Sequence, residues 1–329
     1  MRLSFVFIYL LIGFQLYAKP KVKLVFGKSD EFKIVQFTDT HIDLSSGANI
    51  EAYKFISDIL LQEKPDLVVM TGDIVTQDNP QEAFIRLSEI FRQYQIPWTI
   101  VFGNHESEHN FPRKQLASFL RELPFCLNND SNDTDGDSDF ILKIAGESGK
   151  TEAALYCIDS NTYSTLKPRV DGYGWFTLAQ INWYTKSSIE LTRQNGGEPL
   201  PALAFFHIPL PEYTQAWNNK SIQSVGVKNE DECSPQINSG MFTAMLTCGD
   251  VMGTFVGHDH INDYITAYHG IALAYGRVTK RMKGAGDPLA GGRVIVLKRG
   301  KREFDTWIRQ FDGEKVLKCS YPESFKPMK

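Results

Sequence analysis

Phe32-Lys-Ile-Val-Gln-Phe-Thr38-Asp39-Thr40-His41 is the stretch that decides how this 329-residue chain folds. A short run of β-branched and aromatic residues ends directly in a polar triplet, which predicts a strand whose carboxyl end carries functional side chains. The figure recurs four times. Leu67 to Thr71 runs into Gly72-Asp73, Trp98 to Phe102 into Gly103-Asn104-His105-Glu106, Ala202 to Phe206 into His207, and Thr254 to Val256 into Gly257-His258-Asp259-His260. Helical periodicity fills 49–63 and 81–94, the latter with Phe84, Leu87, Phe91 and Tyr94 on one face behind Asn79-Pro80, read as a cap followed by a first-turn proline. A third helix is predicted from the capping-box pattern Thr177-Leu-Ala-Gln180 to Asn195-Gly196-Gly197. Such alternation predicts a layered α/β protein with its site where the strands' carboxyl ends converge. The motifs run from residue 39 to residue 260, so a split into independent domains would cut the site, and one domain over 19–329 is expected.

Five of the seven histidines fall inside these motifs, interleaved with carboxylate and amide oxygens. That donor mixture suits a divalent or trivalent first-row metal and excludes a thiolate zinc finger. Asp39, His41, Asp73, Asn104, His207, His258 and His260 are too many ligands for one ion and enough for two sharing a carboxylate, which we assign to Asp73. Strand alternation is expected to place Asp39 with His41, and His258 with His260, on a common side. Gly72, Gly103 and Gly257 would let backbone pass close to ions and phosphate. Two ions ~3.5 to 4 Å apart hold both oxygens of an in-line displacement at phosphorus. Read alone, His207 between Phe206 and Ile208 is an ordinary buried histidine, and its place in the ordered set is what makes it a ligand candidate. His109 and His269 lie outside the motifs and read as loop or surface residues.

The ordered set Asp-x-His, Gly-Asp, Gly-Asn-His-Glu, His, Gly-His-x-His resembles the calcineurin-like metallophosphoesterase superfamily. Phe206 to Tyr213, Asn238-Ser239-Gly240 and Gly257 to Asp263 are similar, more narrowly, to its purple acid phosphatase 29-like branch. The resemblance implies a four-layer αββα sandwich with mixed sheets flanked by helices. It also implies one metal on Asp39, His41, Asp73 and His260 and a second on Asp73, Asn104, His207 and His258, as iron, manganese or zinc. Phosphomonoester hydrolysis by in-line attack of a metal-bound hydroxide would follow, with His105 protonating the leaving oxygen and Glu106 orienting His105. Phosphodiester or nucleotide cleavage is the alternative, and a binding protein with a dead site is a third reading. One departure is plain. Purple acid phosphatases carry Gly-Asp-x-x-Tyr, whereas Gly72-Asp73-Ile74-Val75 is followed here by Thr76, so no tyrosinate-to-iron absorption is expected.

The remaining features set the context. A formal charge of −4 offers no basic footprint for nucleic acid, and a small phosphate ester is the expected partner; oligomeric state stays open. Met1-Arg2 and an apolar stretch through Leu16, then Tyr17-Ala18-Lys19, read as a signal peptide cleaved after Ala18, which predicts a secreted or periplasmic protein without stable membrane insertion; an uncleaved anchor is the alternative. Cysteines at 126, 157, 233, 248 and 319 are odd in number, lie outside the metal motifs, and are left unassigned to pairs. Residues 128–139 form an acidic stretch read as a solvated loop, because it lacks the bidentate glutamate that a calcium loop requires. Sequons begin at Asn129, Asn132 and Asn219. Tyr163, Tyr173, Trp175, Tyr213 and Asn262 are candidates to line the substrate pocket, against a packing role for each.

Overall fold

The computed structural model describes residues 22–108, 110–130, 134–284 and 287–327. The segment expected to be a signal peptide (1–18), His109, Asn132 and residues 131–133 of the acidic stretch lie outside the described residues. In chain order the first half runs β1 (Leu24–Val25), β2 (Glu31–Phe37), α1 (Ala52–Glu63), β3 (Leu67–Thr71), α2 (Gln81–Tyr94), β4 (Trp98–Val101) and α3 (Arg113–Glu122). It continues through β5 (Phe140–Ala145), β6 (Thr151–Cys157), α4 (Leu178–Gln194), β7 (Ala202–Phe205), α5 (Glu212–Asn218), α6 (Met241–Cys248) and β8 (Val251–Val256). The chain ends in β9 (Ile265–Tyr268), β10 (Ile271–Tyr275), β11 (Gly291–Lys298), β12 (Phe304–Gln310) and β13 (Lys315–Tyr321).

Two mixed sheets result, ordered β1-β5-β6-β7-β8-β10-β9 and β13-β12-β11-β2-β3-β4. Alternation along each buried strand sends side chains to opposite faces, and the cores follow from it. Ile34, Leu67 and Val69 point between the sheets, where they meet Leu155, Leu203, Phe205 and Phe255. Their neighbours Val35, Val68 and Met70 point outward under the apolar stripes of α1 and α2, against Ile56, Ile59, Phe84, Leu87 and Phe91. On the far side Ala154, Tyr156, Ala204 and Leu273 pack beneath Tyr184, Met241 and Met245 of α4 and α6. Three apolar interfaces separate four layers, helix, sheet, sheet, helix, and each is worth roughly 25 cal/mol per Å² of apolar surface removed from water.

Capping chemistry follows the sequence at α4, where Gln180 N–H donates to Thr177 Oγ1 at 3.2 Å and Thr177 N–H donates to Gln180 Oε1 at 3.0 Å. It departs at α2. Pro80 itself occupies the N-cap and no side chain caps the helix, because Asn79 has φ 51° and its N–H is taken by Asn110 Oδ1. Parallel pairing of β2, β3 and β4, and of β6, β7 and β8, brings their carboxyl ends to one edge. There Gln36 Nε2 donates to Thr71 Oγ1 in its own sheet and to Val256 O in the other, at 2.8 and 2.9 Å, fixing how the two edges meet.

Candidate metal centre

All seven expected ligands converge at that edge, although not by strand alternation. Asp39, His41, Asp73 and His258 have φ of 52°, 45°, 53° and 79°, so each sits in a left-handed turn rather than in extended backbone. Such residues cost of order 1 kcal/mol each and persist only where their surroundings impose them. Here cross-connections impose them: Asp39 N–H donates to Gly72 O, His41 N–H to Asp73 O and Gly257 N–H to His207 O, at 3.1, 3.1 and 3.0 Å. Two of the glycines make room for the carboxylates. A Cβ on Gly103 would lie 2.2 Å from Asp73 Oδ1, and one on Gly257 2.0 Å from Thr38 Oγ1 and 2.6 Å from Asp39 Oδ2.

Each carboxylate spends one oxygen on the scaffold and turns the other into the basin. Asp39 Oδ2 accepts from His258 N–H (3.0 Å) and Thr38 Oγ1 (2.7 Å), while the buried Oδ1 has no partner. Asp73 Oδ1 accepts from His105 N–H at 2.9 Å. Its Oδ2 lies 3.0 Å from His207 Nε2 and 3.8 Å from both His41 Nε2 and His105 Nε2, the central place that a bridging ligand needs. On one side His260 Nε2 is 3.5 Å from Asp39 Oδ1 and 3.2 Å from His41 Nε2. On the other His258 Nδ1 is 3.2 Å from His207 Nε2. His207 Nδ1 lies 2.7 Å from Thr71 O, so its proton is placed there and Nε2 is left as the donor to a metal. Asn104 Oδ1 is buried and unpartnered.

Electrostatics agree with that layout. Burial alone would raise Asp73, but the His207 charge and hydrogen bond beside it hold the carboxyl well below the ordinary range. Burial would likewise lower His207, and Asp73 overcomes it, pushing the imidazole up to about 10, so that without an ion Nε2 also holds a proton toward Asp73 Oδ2, which a metal would displace. At His258 burial, helped by the His207 charge, outweighs Asp73 and Asp39 and takes the imidazole down to about 3, so it presents a neutral ring. Facing lone pairs, a buried carboxylate oxygen and a buried amide oxygen without donors form a set suited to cations. These residues fit two metal ions, as Asp39, His41, Asp73 and His260 around one and Asp73, Asn104, His207 and His258 around the other. Thr76 stands where a tyrosinate would, with its hydroxyl 3.4 Å from His41 O.

Several expectations are corrected. Glu106 does not orient His105: its buried carboxylate accepts the N–H groups of Asp73, Ile74 and Gly103 at 2.9, 2.7 and 2.7 Å, stitching the two loops together. The carboxylate that meets His105 Nδ1 belongs to Glu108, one 3₁₀ turn onward. Glu108 Oε1 accepts from Tyr163 OH at 2.5 Å, and Asn104 Nδ2 donates to the same phenol oxygen at 3.2 Å. Tyr163 thus borders the basin, and Tyr173 stacks on it and sets its ring edge-on to His258 with centroids 4.3 Å apart. Trp175 lines an adjoining cavity of about 430 Å³ with Tyr163, Arg113 and Asp137. Tyr213 is fully buried with its hydroxyl 2.8 Å from Thr254 Oγ1, and Asn262 is buried and caps the backbone N–H groups of Asn229 and Glu230; neither reaches a pocket.

Besides Glu108, two more residues went unforeseen. Lys280 Nζ lies 3.4 Å from His260 Nε2, and burial lowers its ammonium to about 8 although Asp39 and Asp73 act to raise it. Cys233, left outside the motifs, brings an exposed thiol within 4.8 Å of ligand atoms on His258 and Asp259. The i to i+3 spacing of His105 and Glu108 was a usable local signal, whereas Lys280 offers none, because it arrives from a loop far along the chain.

The family description "Calcineurin-like phosphoesterase" matches residues 32–262. The chain is 32% identical over 289 residues to probable inactive purple acid phosphatase 29 of Arabidopsis thaliana, covering 77% of this chain and 73% of that one. With phosphatase DCR2 of Saccharomyces cerevisiae it shares 29% over 345 residues, 89% of this chain and 57% of that one. A dimetal phosphatase from Danio rerio superposes with a TM-score of 0.60 at 14% identity, covering 88% of this chain and 98% of that one, a likeness of fold alone. A basin built from Asp-x-His, Gly-Asp, Gly-Asn-His, His and Gly-His-x-His at the edge of two stacked sheets, together with these matches, makes the chain a member of the calcineurin-like phosphoesterase family, in its purple acid phosphatase-like branch.

Proposed function

We propose that the protein is a dinuclear metal-dependent phosphatase that hydrolyses small phosphate monoesters, exported on the signal peptide at 1–18. The observation that carries the reading is the inward-facing, unpartnered donor set: Asp39 Oδ1 and Asn104 Oδ1 are buried without a hydrogen bond, around the Asp73 Oδ2 that three imidazoles approach. Bound there, two ions would polarise the phosphoryl oxygens and lower the pKa of water. The chain's own part is positional. His105, held at Nδ1 by Glu108, keeps Nε2 toward the basin, where it can give a proton to the departing alkoxide. Burial would raise Glu108, but hydrogen bonds from Tyr163 and His105 hold it below the ordinary range, so it remains an acceptor for His105.

"Probable inactive" in the names of plant relatives describes those proteins; here all seven ligand positions are filled. Among the described residues no helix is long and apolar enough to cross a membrane. The decisive experiment strips the chain, reloads it separately with manganese, zinc or iron, and compares an aryl phosphate monoester with the matching diester. Preference for the monoester is expected. Preference for the diester would replace this reading with a phosphodiesterase, and metal retention without turnover on either ester would replace it with a binding protein.

A further inference from the structure

We infer that Lys280 is a substrate-binding residue that grips the phosphoryl group and favours dianionic monoesters over monoanionic diesters, an inference that rests on the hydrolytic reading above. The loop carrying it is sewn to the strand end that delivers Asp39. Val278 pairs with Thr38 as a parallel bridge, Thr279 N–H donates to Thr38 O at 2.9 Å, and Thr279 Oγ1 accepts from Thr38 N–H at 3.3 Å and donates to Gly291 O at 2.9 Å. Lys280 leaves that anchored backbone with its ammonium 3.4 Å from His260 Nε2, and the residue is only 9% exposed.

A buried ammonium without an anion is costly, so its partner needs identifying. Among the described residues Lys280 has no carboxylate at ion-pair distance, and its one hydrogen-bond contact is an imidazole nitrogen whose lone pair a metal would claim. With the ions in place the ammonium faces a cationic basin and lacks an acceptor until an anion enters. Arg113, another cation beside the motif loops, is already spent on Asp159, Asp137 and Gly103 O, and Arg277 and Arg293 are spent on Asp263. A phosphate monoester carries close to two negative charges near neutral pH, since its second pKa is about 6. A diester carries one. The attraction to Lys280 scales with that charge, so this residue adds to any preference for the dianion that the bound ions would already confer. The competing role is counter-charge to Asp39 and Asp73 before metals bind. That role predicts tighter metal retention without Lys280 and no change in discrimination.

The test compares Lys280→Met and Lys280→Arg with the parent as manganese-loaded full chains, measuring kcat/KM on an aryl monoester and diester, inorganic phosphate affinity by calorimetry, and metal content. Loss of one charge-assisted hydrogen bond predicts about 10- to 100-fold lower kcat/KM on the monoester and about 10-fold or more weaker phosphate binding in Lys280→Met. The diester, with half the charge, should fall by only about 3- to 10-fold, and Lys280→Arg should recover part of the monoester rate. An equal fall on both esters, or unchanged phosphate affinity, overturns the inference. If the parent turns over neither ester, phosphate affinity still decides: weaker binding in Lys280→Met supports the contact and leaves hydrolysis as the reading that failed.

Discussion

Two carboxylate clusters meet at Gly103, and they differ in what their oxygens lack. In the metal basin Asp39 and Asp73 are held by one oxygen each and leave the other facing inward. Behind it Asp159 accepts two hydrogen bonds from Arg113 and the N–H groups of Asp137 and Asn161. Asp139 accepts from Asp159 N–H, from Gln180 Nε2 and from Thr134 Oγ1. Both clusters are buried and acidic, yet the second is complete in itself and the first is not. A count of acidic residues would rank them alike. Their unsatisfied lone pairs separate a site from a scaffold.

Breaking the contrast hardest is Asp73→Asn, which removes the shared ligand's negative charge at the point where three imidazoles converge. Turnover should fall on the order of 10⁴-fold, the several kcal/mol that metal stabilisation of the transition state supplies. Metal analysis should show less bound ion as well, and full retention of both metals with full activity would remove Asp73 from the centre.

The scaffold cluster answers to pH instead. Burial, with Asp159 nearby, raises the Asp139 carboxyl from 3.8 to about 7. Between those values the folded chain binds a proton that the unfolded chain has released, so stability falls as pH rises through this window. The whole effect amounts to about 4 kcal/mol at about 1.4 kcal/mol per pKa unit. Denaturant unfolding from pH 4 to 8 should therefore show a steeper decline in the parent than in Asp139→Asn; parallel curves would mean that Asp139 titrates normally.

Glu108 stands between the two regions and should give the smallest change. Glu108→Gln keeps the shape but weakens the hold on His105, and turnover should drop ~10- to 100-fold, part of what general acid catalysis contributes. The loss should be largest for esters with poor leaving groups, should not add to that of His105→Ala, and should leave metal content intact. Equal loss across leaving groups would make Glu108 a packing residue only.

Local pattern carried much of this. Strands expected at 67–71, 98–102 and 202–206 occur as Leu67–Thr71, Trp98–Val101 and Ala202–Phe205, and α4 begins at its capping box. The ligand set was legible because each donor follows its own strand within a few residues. What escaped depended on distance in sequence or on unusual backbone. Left-handed conformations at Asp39 and His41 are not written in residue type, since neither is glycine. Lys280 reaches the basin only through a bridge spanning residues 38 and 278. Tyr213 and Asn262 looked like pocket residues because they adjoin the motifs, whereas burial shows that they support the loops from behind.

The closing of the β13-β12-β11-β2-β3-β4 sheet has a consequence for how the chain is made. β2 is translated about 260 residues before β11, residues 291–298, with which one of its two edges pairs. At about 5–20 residues per second, a ribosome needs on the order of tens of seconds to supply that partner. For that interval Phe32, Ile34, Val35 and Phe37 belong to a strand with one bare, apolar edge, the kind that recruits foreign strands. The nascent chain's hazard therefore lasts until β11 arrives, and a message truncated before β11 would yield a product carrying all seven candidate metal ligands and a permanently sticky sheet.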